Sequence, residues 1–152
     1  MYGRTNGLAN YSKIANTETN PLKQIVMLYD GAIKFLNMTA DDIENQDFIQ
    51  KAEHSNRALD ILNYLQSILD FERGGDVAVA LDNLYGRLTL QILRASRELD
   101  APLMRRAAEL LAPVRDAWET NARNAVAPVM PEMTSSSASF QMTSSAAVSQ
   151  AF

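Results

Sequence analysis

The stretch PLKQIVMLYDGAIKFL, residues 21–36, predicts a long amphipathic helix and decides the fold class. Its apolar residues recur at steps of three and four, which is the spacing of one buried helical face: Leu22, Ile25, Tyr29, Ala32 and Leu36. Gly31 interrupts this pattern, although glycine inside a helix costs roughly 1 kcal/mol relative to alanine. Because a missing side chain lets a neighbouring helix come close, we expect Gly31 to lie at a tight contact.

A second glycine lies in similar surroundings. The stretch LYGRL, residues 84–88, places Gly86 directly after Tyr85, much as Gly31 lies near Tyr29. Two such sites on separate helices predict close helix packing around the tyrosines.

Capping residues mark where the first two helices begin. Asn20 is a good N-cap, and Pro21 follows at the first helical position, where its missing N–H does no harm. The apolar pattern then continues through Ile43. Asp47 is expected to cap the second helix, whose apolar stripe includes Phe48, Ala52, Leu59, Leu62 and Leu69.

Two further helices follow in the same way. The two glycines of RGGD, residues 73–76, are expected to end the second helix, with Gly75 or Asp76 capping the third. Asp100 is expected to cap the fourth helix, in which Pro113 should cause a kink because its ring clashes with the preceding turn.

Four helices joined by short connections predict an all-α, antiparallel up-down four-helix bundle. We expect the bundle to span residues 20–123, after a short N-terminal segment of residues 1–19. Residues 124–152 are rich in Ser, Thr and Ala and cannot bury enough apolar surface to offset their ordering entropy. We therefore expect a disordered C-terminal tail.

Composition excludes several classes of function. A net charge of −4 argues against nucleic-acid binding, which needs concentrated Lys and Arg, and the absence of cysteine excludes thiol chemistry. No apolar run approaches the roughly 18 residues that membrane insertion requires. The first residues also lack the apolar core of a secretory signal. The sequence thus predicts a soluble, cytoplasmic protein.

The chain also lacks the usual signs of an active site. Di-iron bundles need paired Glu-x-x-His motifs, whereas the only histidine is His54, with Lys51 three residues before it. Asp41 and Asp42 are adjacent near a helix end and point in different directions, unlike a general acid–base pair. We predict no enzyme activity, no metal and no cofactor.

The second and third helices carry more apolar residues than one stripe requires. Some of these residues either widen the core or line a groove for an amphipathic partner, and periodicity alone does not decide between the two. The candidate partner-binding residues are Tyr64, Leu65, Ile68, Leu81, Leu84, Tyr85 and Leu88.

Four stretches resemble the FliS family, the flagellin-specific export chaperones of bacteria. They are MYG at residues 1–3, NPLKQIVMLYDGAIKFL at 20–36, DFERGGDVAVALDNLYGRL at 70–88 and LLAPVRDAW at 110–118. The resemblance implies a cytoplasmic secretion chaperone that binds the C-terminal segment of flagellin and prevents its premature polymerisation. It also implies delivery to the flagellar export apparatus, whose export gate is a further candidate partner.

The resemblance extends to the N-terminal segment, where family members carry an apolar residue and a tyrosine that affect partner handling. Leu8 and Tyr11 occupy those positions here. We expect residues 1–19 to fold over the groove when no client is bound. The alternative function is a structural or regulatory bundle that self-associates through the same apolar faces, for example as a weak homodimer.

Overall fold

The computed structural model describes residues 20–125 and Phe152. Four helices follow one another along the chain: α1 (Pro21–Glu44), α2 (Phe48–Ser67), α3 (Phe71–Glu98) and α4 (Ala101–Ala125). No strand occurs among the described residues. The predicted all-α bundle is confirmed.

The helices form a closed ring in which each packs on its neighbours in sequence and α1 packs on α4. At one end of the ring, the Asn20 side-chain amide donates a hydrogen bond to the carbonyl of Ala122 at 2.9 Å. At the other end, Arg105 contacts Asp41 at 2.7 Å. The first helix therefore runs antiparallel to the last.

Three of the predicted N-caps are confirmed. In each, the side-chain oxygen of the cap accepts a backbone N–H from the first turn, which satisfies a donor that the helix leaves unpaired. The caps are Asn20 with Leu22 at 3.0 Å, Asp47 with Gln50 at 3.1 Å, and Asp100 with Leu103 at 3.0 Å.

The predicted boundary between the second and third helices is wrong. α2 ends at Ser67, and Asp70 caps α3 by accepting the N–H of Arg73 at 3.0 Å. Gly75 lies inside α3 with φ 51° and ψ −126°, so it makes a kink rather than a helix end. An acidic cap five residues earlier starts the helix, and glycine adopts the left-handed conformation at little steric cost.

The buried face of α2 also differs from the predicted stripe. Phe48 is 48% exposed and Ala52 is exposed, because the first turn of α2 extends beyond the core. The residues of α2 that the core buries lie further along the helix: Ser55, Ala58, Asp60, Ile61, Leu62 and Leu65.

α4 continues through Pro113 and reaches Ala125, two residues beyond the predicted end of the bundle. The proline removes the N–H that the carbonyl of Glu109 would accept. Both residues are exposed, so water can reach that side of the helix. The segment 1–19 and the tail residues 126–151 lie outside the described residues, and their predicted roles stay predictions.

Candidate interaction surface

A pair of tyrosines joins α1 to α3 across the centre of the bundle. The hydroxyls of Tyr29 and Tyr85 hydrogen-bond to each other, and neither residue has exposed surface. Burial raises the pKa of Tyr29 to about 12, although the hydrogen bond with Tyr85 opposes the increase. Burial also raises the pKa of Tyr85, and the neighbouring Tyr29 adds to the effect. Both phenols are thus neutral, and the pair links the two helices.

An ion pair on the surface joins α1 to α4 next to the tyrosine pair. Arg115 contacts Asp30 through two nitrogens, at 2.7 and 3.4 Å, which is the bidentate arrangement that guanidinium groups favour. The hydrogen bond to Asp30 is the main cause of a raised pKa at Arg115. The stretches MLYDGA, residues 27–32, and LLAPVRDAW, residues 110–118, therefore contact each other between α1 and α4.

The single histidine has a structural role as well. His54 Nδ1 lies 2.6 Å from Asp42 Oδ2, which links α2 to the end of α1, and its ring stacks near Phe35. Within the described part of the chain, no group of three His, Cys, Asp or Glu side chains is arranged to hold a metal ion. No helix there has the length and apolarity that crossing a bilayer would require.

The structure places the predicted partner-binding residues in two different environments. Four of them are buried in the core, so a partner that binds this conformation of the bundle cannot contact them: Leu65, Leu81, Tyr85 and Leu88. Tyr64, Ile68 and Leu84 are half-buried and pack against the core. Leu8 and Tyr11 lie outside the described residues.

The three half-buried residues do not form one continuous surface. On α3, Asp82 marks the edge that meets α2, because its carboxylate accepts a hydrogen bond from Gln66 at 2.7 Å. Gln91 marks the opposite edge, where it donates to the carbonyl of Leu103 on α4 at 3.1 Å. At 100° per residue, Leu84 lies about 20° from Gln91 and about 160° from Asp82. It thus faces away from Tyr64 and Ile68 on α2.

A different set of apolar residues is exposed on the outer face of α3, between those two edges. Val79 is 50% exposed, Leu90 69% and Leu93 50%. These residues and Gly86 follow one another at steps of seven, four and three, so they lie along one side of the helix, nearly opposite its buried face. We call Val79, Gly86, Leu90 and Leu93 the α3 stripe.

Gly86 forms an open notch in the α3 stripe. A Cβ atom added there would meet no described atom within 4 Å. The prediction of tight packing is therefore wrong for Gly86, since the described part of the chain does not fill the space that glycine leaves. The corresponding prediction for Gly31, which is half-buried, stays a prediction.

The sequence contains a signal for the α3 stripe, because its members recur at helical spacing. It was missed because the buried residues of α3 have the same spacing: Ala78, Leu81, Tyr85, Leu88, Ile92 and Ala95. Two apolar stripes on one helix look like one wide stripe until the packing partners are known.

Comparison with known proteins agrees with the resemblance of the motifs. The sequence profile of the family described as "Flagellar protein FliS" matches residues 4–125. The flagellar secretion chaperone FliS of Vibrio cholerae is 33% identical over 100 residues, which cover 66% of this chain and 74% of that protein. The chaperone of the same name from Salmonella typhimurium is 30% identical over 118 residues, covering 74% of this chain and 87% of that protein. This chain belongs to the FliS family.

Proposed function

We propose that this protein is a flagellar secretion chaperone whose client is the C-terminal segment of flagellin. Its family and the names of its relatives support the chaperone activity. The choice of flagellin follows from the motif resemblance. The α3 stripe is the observation that supports binding of the client along α3. It is an exposed apolar face with open space at Gly86, on a helix whose opposite face is buried in the core.

The spacing of the α3 stripe suits a helical client. An amphipathic helix presents apolar residues at steps of three, four and seven, and it can lay this face along the matching positions of α3. Glycine at position 86 lets the client's backbone or a large side chain approach the helix axis. The cost of glycine in the middle of α3 then has a functional reason.

A chaperone of this kind works by binding and release. Covering apolar client surface prevents that surface from associating prematurely, and a client that orders on binding loses part of the interaction energy to entropy. Many modest apolar contacts suit a partner that must later be handed on to the export gate. We place this action in the cytoplasm, before export, and it requires no catalytic step.

The N-terminal segment has a defined part in this proposal. Residues 1–19, through Leu8 and Tyr11, would cover exposed apolar surface of the bundle until the client arrives. Deleting residues 1–14 should leave the bundle folded and change client affinity or solubility; unchanged values of both would contradict this part.

Calorimetric titration with the C-terminal segment of flagellin from the same organism tests the proposal. We expect saturable binding near one to one, with the negative heat-capacity change of apolar burial. Gly86→Leu should fill the notch and weaken binding at least tenfold, or about 1.4 kcal/mol. Its melting temperature should not fall, since the added side chain meets open space.

Ile49→Ser is the control, because Ile49 is 81% exposed but faces away from α3, about 160° around α2 from Lys51, which contacts Ser96 of α3. It should bind the client like the parent chain. Failure of the folded parent chain to bind would overturn the proposal, and a tight client-free homodimer in sedimentation would favour self-association. Equal binding by the parent and Gly86→Leu would move the site away from α3.

A further inference from the structure

The last residue of the chain returns to the bundle. The ring of Phe152 packs against Trp118 of α4, with ring centroids 4.8 Å apart and planes tilted by 56°. Phe152 is half-buried and contacts the hydrophobic core, whereas Trp118 has no exposed surface. An aromatic residue far along the chain therefore covers the largest side chain of the core.

This contact lies at a particular end of the molecule. Trp118 precedes Ala122 by one helical turn, and Ala122 accepts the hydrogen bond from Asn20 that joins the start of α1 to α4. α1 thus begins about one turn, or roughly 6 Å, from the level of Trp118. The start of α1 and the end of α4 meet here, and Phe152 packs beside Trp118 at this end of the bundle.

We propose that Phe152 is a displaceable plug in a second docking site for the client, so that this side chain competes with apolar side chains of the client's C-terminal segment. This inference rests on the proposed chaperone function. α4 is the neighbour of α3 in the ring, so an elongated client on the α3 stripe can extend to the Trp118 site. The site takes an apolar side chain, and an amphipathic client helix presents several of these along one face.

A covalent connection lets one side chain fill the site and still leave it. Residues 126–151 join Ala125 to Phe152, so docking of Phe152 is intramolecular and needs fewer contacts than docking of a separate molecule. Phe152 supplies a single aromatic anchor, and a client with several anchors can therefore replace it.

The test uses Trp118, the only tryptophan of the chain, as its probe. Phe152→Ala in the full-length protein should shift the Trp118 emission to longer wavelength and make it more accessible to acrylamide. Phe140→Ala, which removes the other phenylalanine of the C-terminal region, is the matched control and should behave like the parent. Far-UV circular dichroism checks that both variants are folded, and an NOE between the rings of Phe152 and Trp118 in the parent reports the contact directly.

Client affinity then tests the competition. If the plug occupies the site in half to nine-tenths of the molecules, removing it should tighten client binding roughly 2- to 10-fold, because only the open fraction is competent at this site. Phe140→Ala should leave affinity unchanged. Adding client to Phe152→Ala should reverse its shift in emission and protect Trp118 from acrylamide, because a client side chain then refills the site.

The outcomes separate this inference from the proposed function. Equal client affinity of the parent and Phe152→Ala would overturn the plug while the chaperone function stands. The absence of client binding in every folded variant would overturn the chaperone function and the competition together, and the fluorescence would then report docking alone. An unchanged Trp118 signal in Phe152→Ala, with no ring–ring NOE, would overturn the docked plug itself.

Discussion

α1 and α3 lie diagonally opposite each other in the ring. Each contributes a tyrosine to the contact between them, yet their outer faces differ. The outer face of α1 is polar and holds α4 through ion pairs, Asp30 with Arg115 and Asp41 with Arg105. The outer face of α3 carries the apolar α3 stripe instead, and its ion pairs, Arg94 and Arg97 with Glu98, stay within the helix. The bundle uses the outside of α1 for its own cohesion and leaves the outside of α3 available.

This difference separates stability from binding along a single helix. On α3, residues two positions apart face opposite environments, so neighbouring substitutions of the same chemical type should affect different properties. Substitutions in the core should give the largest changes in the free energy of unfolding, and substitutions on the outer face of α3 should mainly change client binding.

The pair Leu88 and Leu90 gives the largest contrast. Leu88 is 1% exposed and Leu90 is 69% exposed, so both can be changed to alanine on the same helix. Leu88→Ala should lower the free energy of unfolding by about 2–5 kcal/mol, since it leaves a cavity in the core. Leu90→Ala should change it by less than about 0.5 kcal/mol while weakening client binding. Urea unfolding followed by circular dichroism, together with calorimetric titration, measures both; equal destabilisation would remove the distinction between the faces.

High pH should break the link between α1 and α3. Tyr29 ionises near pH 10 in the unfolded chain, while burial raises its pKa to about 12 in the folded protein. Between these values the unfolded state releases a proton that the folded state retains, so stability is fully present below pH 10 and falls as pH rises. The loss from Tyr29 is about 1.4 kcal/mol per pH unit, or about 3 kcal/mol over the interval, and Tyr85 adds to it.

The double variant Tyr29→Phe/Tyr85→Phe is the control for this titration. It removes both hydroxyls together and leaves neither as an unpaired buried group, so stability at neutral pH should change little. Denaturant unfolding at half-unit steps from pH 9 to 11.5 should then show a shallower decline than in the parent. Identical slopes in the two proteins would assign the decline to other groups.

The ion pair on the outside of α1 should give the smallest effect. Asp30→Asn should lower the free energy of unfolding by about 0.5–1 kcal/mol at low salt, and by less in high salt, because Asp30 is 52% exposed. Asp116→Asn is the matched control, since Asp116 contacts the same arginine at 3.3 Å without linking two helices. A salt-independent loss of several kcal/mol for Asp30→Asn would mean that its role is not electrostatic.

The fold follows from local signals that act over one helical turn. Asn20, Asp47 and Asp100 are recognisable caps because each satisfies backbone donors in the residues that follow it. The start of α3 was missed because Asp70 and Gly75 give competing local signals. Only the packing of α2 on α3 determines that the acidic residue starts the helix and the glycine bends it.

The candidate site was less predictable, for a reason that lies in the geometry of helices. Leu88 and Leu90 belong to similar periodic patterns, and which pattern faces the core depends on the neighbours in the ring. The contact of Phe152 with Trp118 leaves no periodic signal at all, since it joins a helix to a residue far along the chain. Sequence periodicity shows which residues share a face of a helix. The tertiary arrangement decides which other residues that face contacts.

The extensive seam between α1 and α4 bears on how the protein is made. A ribosome adds roughly 5–20 residues per second, so about 4–16 s pass between completion of α1 and completion of α4. During this interval the apolar face of α1, including Tyr29 and Leu36, lacks α4, with which α1 makes its largest helix–helix contact. The nascent chain is therefore itself an aggregation-prone polypeptide until its last helix emerges, and this protein must pass through the kind of exposed state from which it would later protect its client.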